Sequence, residues 1–186
     1  MICASHSPLR HCFAKKPDAW DALQAAYERQ ANAVRQFDPE LVIAFGADHF
    51  NGFFLKLMPA FCVGTKAQAV GDVGGFAGPL DVPADTAIAL VEFLRAADVD
   101  PAVSCDMTVD HGFSQSLHDM LGGIDARPVV PIFINAIAEP LVPFRRAPPP
   151  GGAGGPLAAG TGTRGPLRAR GGKAAPPPAR HPGPPG

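Results

Sequence analysis

The chain of 186 residues lacks the motifs that mark several common classes of ligand-binding protein. It contains no G-x-S-x-G nucleophile elbow, no G-x-x-x-x-G-K-[ST] phosphate loop and no G-x-G-x-x-G dinucleotide motif. Its apolar runs are all shorter than the roughly 20 residues that cross a bilayer. We therefore expect neither a serine-hydrolase elbow, nor a nucleotide loop, nor a membrane span.

Cysteine is scarce and widely spaced. The four cysteines form no C-x-x-C pair, and they stand at Cys3, Cys12, Cys62 and Cys105. The order Cys3, His6, Cys12 does not match the ligand spacing of a structural zinc site. The N-terminus also lacks the basic start and apolar segment of an export signal. We therefore expect reduced thiols in a cytoplasmic protein.

Acidic and aromatic residues are missing from the last forty residues, 147–186. Pro, Gly, Ala and Arg make up thirty-four of these forty. The segment 1–146 holds all seventeen acids and eleven of the sixteen Lys and Arg, a formal charge of −6, whereas 147–186 carries +5. An acidic body argues against a nucleic-acid groove, which needs a basic surface.

The change of composition divides the chain into a folded part, 1–146, and a low-complexity tail, 147–186. The tail has no apolar periodicity, and its proline and glycine content predicts disorder. Pro, Gly, Ala and Arg are the residues whose codons can begin with two G or C bases. We therefore interpret the tail as an out-of-frame translation of a GC-rich gene, with a natural proline-rich linker as the alternative.

Hydrophobic periodicity in the folded part predicts strands that alternate with helices. Expected helices cover 17–37, 83–97 and 112–121; expected strands cover 2–5, 41–46, 102–105 and 129–135; loops are expected at 47–60 and, flexible and glycine-rich, at 71–80. The run LVIAFG, 41–46, is expected to be buried. The pattern predicts an α/β fold with a mostly parallel sheet flanked by helices.

Three histidines occupy similar positions. His6 follows the first expected strand, His49 follows the second in "GADHFNGFF", and His111 precedes a helix in "TVDHGFSQS". Because ligands of open α/β sheets gather at the carboxyl ends of strands, these side chains are expected to meet. Imidazole is both a metal ligand and a proton shuttle near neutral pH. Each histidine taken alone could also be a surface or capping residue.

Acids and further histidines surround these positions. Asp48 and Asp110 could each orient an imidazole or cap the following turn or helix, and capping is favoured for Asp110. Of the other histidines, His118 is expected at a helix surface and His11 in a solvated loop, while His181 lies in the tail.

Several strings together resemble the class III extradiol ring-cleaving dioxygenases. They are "SHSPL", "PELVIAFGADHFNGFFLKLMPAFCVG", "VDHGFSQSL" and "PVVPIFIN", which cover residues 1–146 in continuous order. The resemblance implies non-haem Fe(II), and cleavage by O2 of a catechol such as 3-(2,3-dihydroxyphenyl)propionate during aromatic-compound and phenylpropanoate degradation. It also implies a homo-oligomer for the intact family member, and an α/β fold that is incomplete in this chain.

The resemblance also implies roles for particular residues. His6 and His49 match the two histidine ligands of the iron, and His111 matches a histidine with acid–base function. Phe50, Phe53 and Phe54 are candidates for an aromatic wall of the substrate pocket, with core packing as the alternative.

The chain departs from the family pattern near its end. By the resemblance, a glutamate ligand and a second acid–base histidine fall in the part that the tail replaces, and no glutamate follows Glu139. We therefore expect a chain with impaired activity. The alternatives are a non-catalytic metal-binding relative and a metal-dependent hydrolase on a similar scaffold.

Overall fold

The computed structural model describes residues 1–7 and 16–141. His11, Cys12, His181 and the tail 147–186 lie outside the described residues. The described helices are α1 (Trp20–Phe37), α2 (Ala84–Ala96) and α3 (His111–Leu121). The described strands are β1 (Val42–Gly46), β2 (Phe61–Gly64), β3 (Ala67–Ala69), β4 (Gly78–Pro79), β5 (Ala102–Ser104), β6 (Met107–Val109) and β7 (Val129–Ile134).

The strands form two sheets. The larger has the order β1-β7-β2-β5, in which β1 pairs with β7 and β2 with β5 in parallel, whereas β2 pairs with β7 antiparallel. The smaller has the order β4-β3-β6, with an antiparallel and a parallel pairing. Helix α3 packs on α1, β1, β3 and β6, and α2 packs on β2. The α/β prediction, with a parallel-rich sheet and flanking helices, is confirmed.

Helix ends follow local chemistry. After α1, Asp38 adopts a left-handed conformation with φ of 47°, and Pro39 follows, which disfavours a further helical turn. Helix α3 begins where the Asp110 carboxylate accepts a hydrogen bond from Gly112 N–H, and it ends at Gly122 with φ of 87°. The predicted bounds of all three helices therefore agree with the structure to within a few residues.

The strand predictions were less complete. Residues 2–5 form no strand in the described part of the chain, and β4 lies within the segment expected to be a loop. Strands β2, β3 and β6 were not predicted, because runs of three or four residues carry too little periodicity to identify.

The run expected to be a buried strand is an edge strand. In β1 Phe45 is 63% exposed, and no residue of the strand is fully buried. Strand β7 instead lies inside the sheet, where Val129, Val130 and Phe133 are at most 1% exposed. The core therefore centres on β7 and the face of α3 that carries Phe113 and Leu117.

No helix in residues 1–7 and 16–141 has the length and apolar character that a membrane span requires.

Candidate active site

The three histidines singled out in the sequence lie together. The ring centroids of His49 and His111 are 4.2 Å apart and stacked, and the ring of His6 lies 5.2 Å from His49 and 5.9 Å from His111. His49 follows β1 and His111 is the first residue of α3. His6 reaches the other two from the segment before α1, where Tyr27 Oη donates a hydrogen bond of 2.6 Å to the Ser5 carbonyl.

Asp110 connects two of the elements that carry these histidines. One carboxylate oxygen accepts from Gly112 N–H at 2.8 Å and so caps α3. The other accepts from His49 N–H at 2.6 Å, contacts His49 Nδ1 at 3.1 Å and accepts from Asn51 Nδ2 at 3.1 Å. Asp110 therefore both caps the helix, as expected, and orients the imidazole of His49.

Asp110 favours its ionised form although it is buried. Burial by itself raises the pKa of a carboxyl group, but the hydrogen bonds from His49, Gly112 and Asn51 outweigh it. The pKa of Asp110 is lowered as a result. A carboxylate with 0% exposure thus stays ionised beside the histidines.

Asp48 has a different function from Asp110. Its carboxylate accepts backbone hydrogen bonds of 3.0–3.1 Å from Asn51, Gly52 and Phe53. The sequence allowed Asp48 either to orient an imidazole or to cap the following turn. These bonds favour the second interpretation, in which Asp48 caps the turn after β1. Burial raises the pKa of Asp48 despite these bonds.

Asp72 is a site residue that the sequence did not reveal. Its Oδ1 accepts from His111 N–H at 2.9 Å, and its Oδ2 lies 2.5 Å from His111 Nδ1. The glycines around it, in "GDVGG", led us to expect a flexible loop. Asp72 is the one acid in that loop. This fact points to a contact with a histidine only when the loop is known to face α3.

Asn51 is a second residue that was missed. Its side-chain amide donates to Asp110 at 3.1 Å and to Asp72 at 3.5 Å, and so it lies between the two carboxylates that contact histidines. An asparagine in a loop is so common that nothing in the sequence distinguished it.

The three phenylalanines proposed for a substrate wall separate into two groups. Phe53 stacks on Phe133 with ring centroids 4.1 Å apart and packs against the core. Phe50 and Phe54 are exposed, at 41% and 56%. Partly buried Phe53 therefore fits the core-packing alternative, whereas Phe50 and Phe54 are exposed on the surface.

Among the described residues, His118 and three cysteines lie outside this group. His118 stacks on Phe76 with ring centroids 3.7 Å apart, although its side chain is still 41% exposed, as expected for a helix surface. In the described part of the chain Cys3, Cys62 and Cys105 are free. Burial raises the pKa of the Cys62 thiol to about 11, which makes it unreactive.

Imidazole and carboxylate groups that converge in this way could hold a metal ion. Burial, together with the charges that His49 and His111 would carry, lowers the pKa of His6 and favours its neutral, metal-binding form. His49, Asp110 and His111 each place one potential ligand atom within 4.8 Å of the others. Because both oxygens of Asp110 already accept hydrogen bonds, imidazole nitrogens are the better available ligands.

The chain matches a known protein family over most of its length. The family described as the catalytic LigB subunit of aromatic ring-opening dioxygenase matches residues 1–153. The chain belongs to this family. The match extends beyond residue 146, the position at which the composition of the chain changes.

Several relatives of this LigB-family chain carry the name 2,3-dihydroxyphenylpropionate/2,3-dihydroxicinnamic acid 1,2-dioxygenase. The protein from Mycolicibacterium vanbaalenii is 46% identical over 164 residues, which cover 88% of this chain and 52% of the relative. The protein from Burkholderia vietnamiensis strain G4 is 50% identical over 149 residues, covering 78% of this chain and 46% of the relative. The chain thus spans about half the length of the curated relatives it matches.

Proposed function

We propose that this chain carries the histidine half of an extradiol dioxygenase site. The reaction would be the Fe(II)-dependent cleavage by O2 of a catechol such as 3-(2,3-dihydroxyphenyl)propionate, in a cytoplasmic pathway of aromatic degradation. The observation that carries the proposal is the convergence of His6, His49 and His111 within ring distances of 4.2–5.9 Å, in a chain of the LigB family. The name shared by the relatives supports the substrate class.

His6 and His49 are the proposed iron ligands. Their rings are neighbours, the pKa of His6 is lowered, and Asp110 contacts Nδ1 of His49, which leaves Nε2 of that ring for a metal. Nitrogen donors of this kind suit Fe(II). Fe(II), when bound, would supply open positions at which a catechol and O2 come together and exchange electrons.

His111 is the proposed acid–base residue. It is 6% exposed, and its Nδ1 faces Asp72, so that Nε2 is the nitrogen available to a ligand. A neutral imidazole in that orientation can accept the proton of a catechol hydroxyl and return it later in the reaction. Exposed Phe50 and Phe54 are the remaining candidates for contact with an aromatic ring.

We also propose that the chain on its own turns over slowly. The glutamate ligand and second acid–base histidine that the family resemblance implies have no counterpart in its sequence. Asp110 is a poor substitute for the glutamate, because a metal ion on its oxygens would compete with the cap of α3 or with the contacts to His49.

The test is ring cleavage by the full 186-residue chain, reconstituted anaerobically with Fe(II) and then given 2,3-dihydroxyphenylpropionate and O2. We expect weak appearance of the coloured ring-opened product, abolished by His49→Ala and retained by His118→Ala, the matched control. Turnover that survives His49→Ala would refute the assignment. Fe(II) binding with no turnover at all would favour the non-catalytic metal-binding relative, and activity without O2 would favour a hydrolase.

A further inference from the structure

The glycine-rich segment 72–76, which we name the α3 strap, follows one face of α3. It contacts residues spaced one helical turn apart: Asp72 accepts from His111, Phe76 N–H donates to Ser114 Oγ at 3.1 Å, and Gly74 O accepts from Gln115 Nε2 at 2.9 Å. The stack of Phe76 on His118 adds a fourth contact. The strap is therefore attached along the helix and not free, contrary to the flexible loop expected from its composition.

Gly75 shows why the strap contains glycine. A Cβ atom at this position would lie 2.4 Å from Asp72 Oδ1 and 3.2 Å from both His111 Cβ and Ser114 Oγ. Any larger residue would push the Asp72 carboxylate away from the first turn of α3. The glycine thus permits a close approach that brings Asp72 to His111.

Asp72 reaches His111 with both of its oxygens. Oδ1 accepts from the backbone N–H of His111 at 2.9 Å, and Oδ2 lies 2.5 Å from Nδ1 of the same residue. An ionised carboxylate can only accept hydrogen bonds, so the proton of a neutral imidazole must lie on Nδ1. The remaining nitrogen, Nε2, then carries a lone pair.

We propose that Asp72 is a positioning residue that holds His111 in the Nδ1–H tautomer, and that the α3 strap exists to place it there. This tautomer makes Nε2 a proton acceptor. Its importance for catalysis rests on the proposed function. The tautomer itself depends only on the contact between Asp72 and His111, so it can be measured without turnover.

The first measurement is the tautomer of His111 in the full-length chain. Two-bond ¹H–¹⁵N correlation spectra, recorded at pH 8 after chelator treatment and assigned with His111→Gln, distinguish a protonated from an unprotonated ring nitrogen. We expect Nδ1 to be protonated and Nε2 to be unprotonated. The opposite pattern in the unsubstituted protein would overturn the proposal without any variant.

The second measurement uses Asp72→Asn. The backbone N–H of His111 needs an acceptor, so the carboxamide oxygen is expected to take that place and its NH2 group to face Nδ1. Nδ1 must then accept, and the proton moves to Nε2. We expect the ¹⁵N shift of Nδ1 to become that of an unprotonated nitrogen and the ¹⁵N shift of Nε2 to become that of a protonated one. Retention of the original pattern would contradict the proposal.

Asp106→Asn is the matched control, because Asp106 is an exposed acid that pairs with Lys66 on the surface. It should leave the His111 signals unchanged. Failure of the inference and failure of the proposed function are distinguishable. A confirmed tautomer in a chain that neither binds Fe(II) nor cleaves a catechol would reject the function alone, and a reversed tautomer in an active chain would reject the role of Asp72 alone.

Discussion

His49 and His111 each contact one carboxylate through Nδ1, but burial within the two pairs is opposite. The side chain of His49 is 37% exposed and its partner Asp110 is fully buried. The side chain of His111 is 8% exposed, and the side chain of its partner Asp72 is 18% exposed. The buried carboxylate also binds Gly112 and Asn51, whereas the hydrogen bonds of Asp72 go mainly to His111.

Asp110 and Asp72 make similar contacts to a histidine, but this difference in burial indicates that they have different functions. Loss of Asp110 would release the loop after β1 and the start of α3 together, so Asp110 is first a structural residue. Loss of Asp72 would chiefly release one imidazole, so Asp72 is first a determinant of the state of His111. Stability measurements on the two should therefore differ more than their contact distances suggest.

The largest expected effect is that of Asp110→Asn on the free energy of unfolding. An amide cannot accept from all the donors that surround Asp110, and a buried group left unsatisfied costs free energy. We expect a loss of about 3 kcal/mol in urea denaturation. The control Asp106→Asn should change stability by less than about 0.5 kcal/mol. A loss at Asp110 no larger than the control would show that the buried carboxylate is not structural.

The difference in free energy of unfolding between the wild type and Asp110→Asn should depend on pH, because the pKa of Asp110 is lowered in the folded protein. The unfolded carboxyl group has the ordinary value of 3.8, and the folded value lies below it. The folded protein thus binds fewer protons in this range, and the stabilisation is complete above pH 3.8 and lost as pH falls through the folded pKa. Unfolding curves of wild type and Asp110→Asn should converge in acid. A gap that widens in acid would contradict this sign.

A smaller effect is expected for Asp72→Asn. The carboxamide can still accept from the backbone of His111, and the site is partly open to solvent. We expect a loss of about 1 kcal/mol in the same denaturation experiment. A loss as large as that of Asp110→Asn would remove the distinction between the two carboxylates.

The smallest effect is expected for Asn51→Ala, which removes the amide between the carboxylates. Asp110 keeps its contacts to His49 and Gly112, so thermal or urea unfolding should show a loss of about 0.5–1 kcal/mol. If Asn51→Ala lowered the free energy of unfolding more than Asp72→Asn does, the pairs His49–Asp110 and His111–Asp72 would have to be treated as one network.

The sequence predicted the long elements and the meeting of the histidines, because both depend on strong local signals. Helical periodicity and caps located α1, α2 and α3, and strand ends located His49. It did not separate β1 from β7, since an edge strand with an exposed Phe45 and an inner strand with a buried Phe133 show the same kind of apolar run. Nor did it identify Asp72, because no local signal showed that the glycine-rich loop 71–80 packs against the start of α3.

The most direct test of the central claim is an anaerobic Fe(II) titration of the full chain, followed by calorimetry or by metal analysis after desalting. The account predicts one Fe(II) per chain, with binding lost in His6→Ala and in His49→Ala and retained in His118→Ala, whose ring stacks on Phe76 away from the group. Binding that is unchanged in both His6→Ala and His49→Ala, or no binding by the unsubstituted chain, would contradict it.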